Sequence, residues 1–288
     1  MIRWFAIVLV MSSVAAAYAA STSGNFNVSV THQQTGVGCL PDSSCPTPPG
    51  GFQWQLDTNS DFTAGLPAGW SILPDTGTNL EPGFSSPQRC NGQYSGGNLV
   101  TFVPGQYMRV DVSPALPLAS NGSGGNCTVS TKGSSPDVTF GPGFFEFNMA
   151  ADNGADYATW VVGNQDNNCK PSSAGWEVDM PEGGAAGSFY GGYLSCTVHL
   201  DPQSNASWQA YPTFQLSGLW WVANQDNRLY YNGSQYADFT YPNGTGDLST
   251  FVGVVAIIQN AQYDQNSCRP CSGGLYIKWF RHYTLVAG

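Results

Sequence analysis

The chain has 288 residues, a formal net charge of −10 and only 10% charged side chains. Such a chain is poorly suited to nucleic acid or anionic membranes, because their phosphates attract clusters of Lys and Arg. Aromatic residues are frequent, with nine Trp and fourteen Tyr. They fill the cores of β proteins, and some can stack on the apolar faces of sugar rings. The composition therefore favours a neutral polysaccharide over a polyanion as partner.

The first nineteen residues have the pattern of a secretory signal peptide. Arg3 precedes the apolar run 4–11, and small residues follow up to Ala19. The apolar run is too short to cross a bilayer, and no later stretch approaches that length. We expect cleavage near Ala19 and one domain over residues 20–288, a monomer secreted to the extracellular space or the cell wall.

An oxidising destination favours disulfides over metal thiolates for the eight cysteines. Eight cysteines allow too many pairings for the connectivity to be deduced. Cys39 and Cys45 can close a small loop, and Cys169 and Cys196 can bridge the segments around residues 176–182. Glycosylation sequons, which would mark surface loops, begin at Asn27, Asn121, Asn126, Asn205, Asn232 and Asn243.

Short alternating segments between Gly, Pro and Asn turns predict an all-β sandwich, and no stretch has a convincing helical period. The predicted strands are, in chain order, residues 144–149, 176–182, 220–223, 229–232 and 275–280. The segments 220–223 and 229–232 are predicted to form a hairpin through residues 224–227. Residues 36–51 and 119–135 are predicted to be long loops.

Residues 176–182 hold the most informative pattern of the chain. Alternation along a strand puts Glu177 and Asp179 on one face, whereas Glu182 has the wrong parity. A β-bulge would restore it, and Pro181 suits a bulge because proline cannot donate a ladder hydrogen bond. With the bulge, three carboxylates share one cleft.

Three clustered carboxylates repel each other, so each raises the pKa values of the others and the cluster costs folding free energy. Such an arrangement therefore suggests a role in chemistry. Retaining glycoside hydrolysis needs one ionised carboxylate as nucleophile and one protonated carboxyl as acid/base, about 5 to 5.5 Å apart. The alternative is an acidic strand rim that faces solvent. The spacing itself does not say which glutamate keeps the proton.

In this setting, residues 141–288 resemble glycoside hydrolase family 16, the secreted β-glucanases with a concanavalin A-like jelly roll. The segments that carry the resemblance, in order, are 143–147, the Trp-containing 157–162, the signature Glu177-Val178-Asp179-Met180-Pro181-Glu182, 197–199, 220–233 and 275–286. Two departures affect the signature: Trp176 stands where the family usually has Gly, and Pro181 lies inside the bulge.

The resemblance implies a β-sandwich jelly roll with a concave substrate cleft and retaining endo-hydrolysis of β-glucan, with β-1,3 or mixed linkages. It makes Glu177 the nucleophile, Asp179 its assistant and Glu182 the general acid/base. No cofactor or metal is predicted.

Three further residues are candidates for substrate binding. Trp160 is either a sugar platform or a core aromatic, and His199 is either a cleft donor or a structural histidine. Alternation turns Trp220 and Trp221 to opposite faces, so at most one of them lines the cleft; Trp221 is the candidate carried forward.

Two rival functions use the same fold. A transglycosylase would pass the glycosyl intermediate to a sugar hydroxyl instead of water, and it would remodel a cell wall. A lectin-like protein would bind glucan without turnover; a structural wall protein is a further alternative. The sequence does not choose among β-1,3-glucan, mixed-linkage glucan, galactan and xyloglucan, because loops shape the subsites.

Overall fold

The computed structural model describes residues 37–73, 90, 98–111, 127–132, 137–152, 155–163, 176–183, 189–190, 193–195, 199–200, 209–222, 226–240, 254–261 and 273–288. The predicted signal peptide, the Cys169 and Cys196 pair and five of the six sequons lie outside these residues. Within these ranges, no helix has the length and apolar character needed to cross a membrane.

The described part of the chain is built from two antiparallel sheets, as predicted for an all-β sandwich. A 3₁₀ turn, Phe62–Ala64, follows the first strand. Sheet I has the strand order β14-β13-β12-β6-β16-β4-β3, with β1 also paired to β16. Its strands are β1 (Phe52–Asp61), β3 (Val100–Val103), β4 (Tyr107–Val110), β6 (Gly143–Ala151), β12 (Gln215–Val222), β13 (Asp226–Tyr231), β14 (Ser234–Thr240) and β16 (Leu275–Ala287).

Sheet II has the order β11-β10-β8-β7-β15-β5-β2, with β9 paired to β8. Its strands are β2 (Ser71–Ile72), β5 (Cys127–Ser130), β7 (Asp156–Gly163), β8 (Trp176–Gly183), β9 (Phe189–Tyr190), β10 (Tyr193–Ser195), β11 (His199–Leu200) and β15 (Val254–Ala261). The acidic segment is thus a central strand of this sheet.

The main core lies between the two sheets. Sheet I contributes Phe145, Phe147 and Met149 from β6, each fully buried. Sheet II contributes alternate residues of β7, β8 and β15, among them Val161 and Val178. Because one face of sheet II is committed to this core, the other face is left for a different task.

The outer face of sheet I is also covered. A second apolar cluster there contains Trp54, Phe144, Trp220 and Tyr283, and Leu40 packs against it from the segment that precedes β1. The Cys39–Cys45 disulfide that the spacing suggested is present in that segment. A further disulfide, Cys90–Cys127, was not predicted from the sequence.

The C-terminal strand departs from simple alternation, which would put Leu275, Ile277 and Trp279 on one face and Phe280 on the other. Leu275 and Ile277 face the main core, but Phe280 also does so, and Trp279 does not. The register with β6 shifts between Ile277 and Trp279. A bulge at Lys278 therefore inverts the phase of the strand, and simple alternation cannot foresee it.

The predicted hairpin is confirmed as β12 and β13, although both strands are longer than the pattern indicated. The next hairpin, β13–β14, turns at Asn232 and Gly233, which both have positive φ. Asn-Gly is favoured in such turns because both central residues adopt left-handed conformations. The Asn232 Oδ1 also accepts a hydrogen bond from the Leu216 amide.

Candidate active site

The acidic strand contains the bulge that the parity of its carboxylates required. In the register of β7 with β8, Trp160 lies opposite Asp179 and Ala158 lies opposite Glu182. Thr159 alone on β7 therefore faces two residues of β8, Met180 and Pro181. An extra residue on one strand is the definition of a β-bulge. The bulge inferred from the sequence is confirmed, at the predicted position.

The bulge gives residue positions 177, 179 and 182 a common face. Val178 and Met180 are fully buried in the core between the sheets, so the residues next to them lie on the opposite side. Beyond the bulge the phase is fixed by Gly183, where a Cβ would lie 2.5 Å from Cζ of the core residue Tyr157. Position 183 thus faces the core, and position 182 faces away from it.

We call this side the outer face of sheet II. Cross-strand partners share a face, so three rows of positions can be followed across it. One row joins Glu177 to Leu194 and then to His199. The predicted histidine is therefore in register with the first glutamate, two strands away, which is about 10 Å at the usual strand spacing.

The other two rows cross β7 and β15. Asp179 is in register with Trp160, and Trp160 with Ile257. Glu182 is in register with Ala158, and Ala158 with Gln259. Position 158 thus lies between the position of Glu182 and Gln259 on β15.

Asp179 occupies a desolvated site, with 5% of its surface exposed. Burial raises the pKa of the Tyr236 hydroxyl, and the nearby Asp179 carboxylate raises it further because a second negative charge would be repelled. Tyr236 therefore stays a neutral phenol beside this carboxylate. The surroundings of Asp179 have the low dielectric in which charge interactions are strong.

The two predicted tryptophans have different locations. Trp160 lies on the outer face of sheet II in a small cluster with Leu73, Val255 and Ile257, and only 8% of it is exposed. Its Nε1 is buried and has no hydrogen-bond partner among the described residues. Trp221 instead belongs to sheet I and is buried in the core between the sheets. The structure does not bring Trp221 to the acidic row.

Trp221 lies in the core because β12 pairs with β6, and its ring stacks on that of Phe145 with centroids 6.5 Å apart. Alternation turns Trp220 to the outer face of sheet I, where Arg228 lies over its ring at 4.9 Å. Neither tryptophan of the pair is therefore on the face of the acids.

Sequence reasoning missed Gln259. Its side chain is buried, Nε2 donates to Thr128 Oγ1 at 3.0 Å, and Oε1 has no partner among the described residues. The sequence pattern that could have identified Gln259 is its spacing: it follows the apolar Val255 and Ile257 at intervals of two, so it lies on the same face of the strand. In a fully buried strand such a residue usually has a specific partner.

No group of three or more His, Cys, Asp and Glu in the described ranges is arranged to hold a metal ion.

Comparison with solved structures gives many matches. An endo-β-galactosidase from Clostridium perfringens, which releases GlcNAcα1-4Gal, has a TM-score of 0.58 at 13% identity over 84% of this chain. This chain spans 64% of that one. No family model matches the sequence, and no curated protein matches it.

Two other matches cover nearly the whole of the compared chain. The endo-β-1,3-glucanase of Pyrococcus furiosus has a TM-score of 0.58 at 16% identity, covering 83% of this chain and 97% of its own. The laminarinase catalytic domain of Thermotoga maritima has a TM-score of 0.56 at 14% identity, covering 80% and 98%. The resemblance to family 16 glycoside hydrolases is thereby confirmed for the fold: the chain is an all-β jelly roll of the kind these glycosidases have.

Proposed function

We propose that the protein is a secreted endo-glycosidase that hydrolyses β-glucan, with β-1,3 or mixed linkages, by a retaining double displacement. The register of β8 carries the proposal, because a bulge at Met180 and Pro181 gives positions 177, 179 and 182 one face. The fold shared with a laminarinase and an endo-β-1,3-glucanase supports the substrate class.

In the proposed mechanism Glu177 attacks the anomeric carbon while Glu182 protonates the leaving oxygen. The glycosyl ester on Glu177 is then hydrolysed by a water that Glu182 deprotonates. Asp179 lies between them in sequence and is desolvated, so its carboxyl group can hydrogen-bond the nucleophile and keep the two glutamates in different protonation states.

The proposed substrate contacts come from the same face. Trp160 is proposed as a sugar platform, because it lies on the outer face of sheet II in register with Asp179. His199 is proposed as a contact because it is in register with Glu177. Gln259 is proposed because it is in register with the position of Glu182. Trp221 is not proposed as a contact, because its ring lies in the core.

The test is Glu177→Gln against wild type on laminarin, mixed-linkage glucan, galactan and xyloglucan, with reducing ends as the readout. We expect kcat to fall by roughly 10³-fold or more, because the amide cannot form the glycosyl ester. Glu146→Gln, the same substitution at a buried site on the outer face of sheet I, is the matched control. Undiminished turnover by Glu177→Gln would reject the proposal.

Two further measurements separate the rival functions. Proton NMR of the first products gives the anomeric configuration, and inversion would exclude the double displacement. Products longer than the substrate at high oligosaccharide concentration would indicate transglycosylation. Tight glucan binding without cleavage of any substrate would indicate a lectin-like protein.

A further inference from the structure

The bulge in β8 raises a question of stability, since an extra residue disrupts the ladder on either side of it. Pro181 removes one difficulty because it has no N–H that could be left unpaired. The carbonyl of Met180 still needs a donor. A buried acceptor without one is costly, and water is excluded here because Met180 is fully buried.

The side chain of Thr159 supplies that donor. Its Oγ1 donates a hydrogen bond to the Met180 carbonyl oxygen. Thr159 is the single β7 residue opposite the two-residue bulge, and it is fully buried. The Met149 sulfur lies 3.5 Å from the same hydroxyl, but a thioether is a weak acceptor, so the carbonyl is the better partner for the one proton.

The orientation of the 180–181 peptide determines where Glu182 emerges from the strand. Thr159 has the parity of the core residues Tyr157 and Val161, so it lies on the side of β7 away from the acids. It therefore cannot contact a substrate bound at the acids, but it can fix the peptide that leads to one of them.

We propose that Thr159 is a positioning residue, whose hydroxyl holds the Met180 carbonyl and so fixes the bulge that sets the place of Glu182 relative to Asp179. The role of Thr159 in catalysis rests on the proposed glycosidase function. Its role in fixing the bulge does not depend on that function.

The test compares three variants. Thr159→Val removes the hydroxyl with little change of shape, and Thr159→Ser retains it. Thr131→Val is the matched control, because Thr131 is also buried and its Oγ1 accepts a hydrogen bond from the Ala256 amide, away from the bulge. Each variant is measured for kcat, KM, the pH profile and hydrogen–deuterium exchange of the peptide 176–183.

For Thr159→Val we expect kcat to fall roughly 10- to 100-fold with KM unchanged, since small displacements of a catalytic group have effects of this size. The alkaline limb of the pH profile, which reports the general acid, is expected to move, and exchange in 176–183 to accelerate. For Thr159→Ser we expect kcat, the pH profile and exchange in 176–183 to be close to wild type. For Thr131→Val we expect kcat and exchange in 176–183 to equal those of wild type.

Wild-type kcat and wild-type exchange in Thr159→Val would overturn the inference. If the wild type cleaves none of the glycans, the proposed function fails, while the exchange comparison still decides the role of Thr159. If Thr159→Val does not fold, Thr159→Ala against Thr159→Ser gives the same comparison.

Discussion

At the scale of single residues, Glu146 has an unusual setting for a carboxylate. It is fully buried on the outer face of sheet I, where its Oε1 accepts hydrogen bonds from the amide and the hydroxyl of Ser44. Burial raises the pKa of Glu146, and the Ser44 hydrogen bonds and the charge of Arg281 oppose that rise only in part. The neighbouring Asp42 is the reverse case: hydrogen bonds from Arg281 lower its pKa.

These opposite shifts predict opposite dependences of stability on pH. A raised folded-state pKa means that the folded protein holds the Glu146 proton more tightly than the unfolded chain does. Its contribution is therefore fully present below the ordinary value of 4.5 and is lost as pH rises through the folded-state pKa. Asp42 contributes above its ordinary value of 3.8, and that contribution is lost as pH falls through the lowered pKa.

Urea unfolding of wild type, Glu146→Gln and Asp42→Asn over pH 3 to 8 measures both effects. The free-energy difference between wild type and Glu146→Gln should shift in favour of the variant as pH rises above 4.5. The difference in free energy of unfolding between wild type and Asp42→Asn should shrink as pH falls below 3.8. A constant difference for Glu146→Gln across this range would contradict the assignment.

At the scale of the element, β8 joins two requirements that a regular strand cannot meet together. Val178, Met180 and Gly183 serve the core, while positions 177, 179 and 182 share the other face. The seven consecutive positions 177–183 give these two sets only if Met180 and Pro181 together take one place in the alternation, opposite Thr159. The bulge is thus a requirement of the sequence pattern and not a defect of the sheet.

Insertion of one alanine between Pro181 and Glu182 tests whether the number of residues in the bulge sets the position of Glu182. With the added residue, Glu182 moves to the core face and Gly183 to the outer face, because strand positions alternate. We expect glycan hydrolysis to fall at least as far as in Glu177→Gln. The matched variant Pro181→Ala keeps the residue count and should retain most of the activity.

Circular dichroism and turnover on the best substrate provide the comparison. A folded insertion variant with wild-type turnover would show that the position of Glu182 is irrelevant to the activity. Equal losses in the insertion variant and in Pro181→Ala would instead attribute the effect to proline itself.

At the scale of the whole molecule, the two sheets have different roles. Sheet I is covered on both sides, by sheet II and by the segment that carries the Cys39–Cys45 loop. Sheet II gives one side to the core and presents the acidic row on the other. The chain as a whole carries a net charge of −10, so its long-range field repels polyanions.

This charge predicts the salt dependence of glycan binding. The affinity for a neutral glucan should change by less than about twofold between 10 and 300 mM NaCl, because no charged groups meet in the complex. A carboxymethylated form of the same glucan should bind more weakly at low salt and recover as salt screens the repulsion. Titration calorimetry measures both, and tighter low-salt binding of the anionic form would contradict the prediction.

The sequence by itself determined the class of the fold and the need for the bulge. Alternation in residues 144–149 predicted the strand β6, and the spacing of Glu177, Asp179 and Glu182 required one extra residue in β8. Both follow from the period of two in a strand, which is a local property. The Cys39–Cys45 loop was also accessible, because the two cysteines are close in sequence.

Only the tertiary structure decided which strands are neighbours, and the pairing of distant strands is not a local property. It placed Trp221 in the core instead of the acidic face, inverted the phase of β16 at Lys278 and set Gln259 in register with the position of Glu182. It also brought the Thr159 hydroxyl to the Met180 carbonyl, across 21 residues of chain. A hydrogen bond of that kind depends on sheet register, which long-range packing determines.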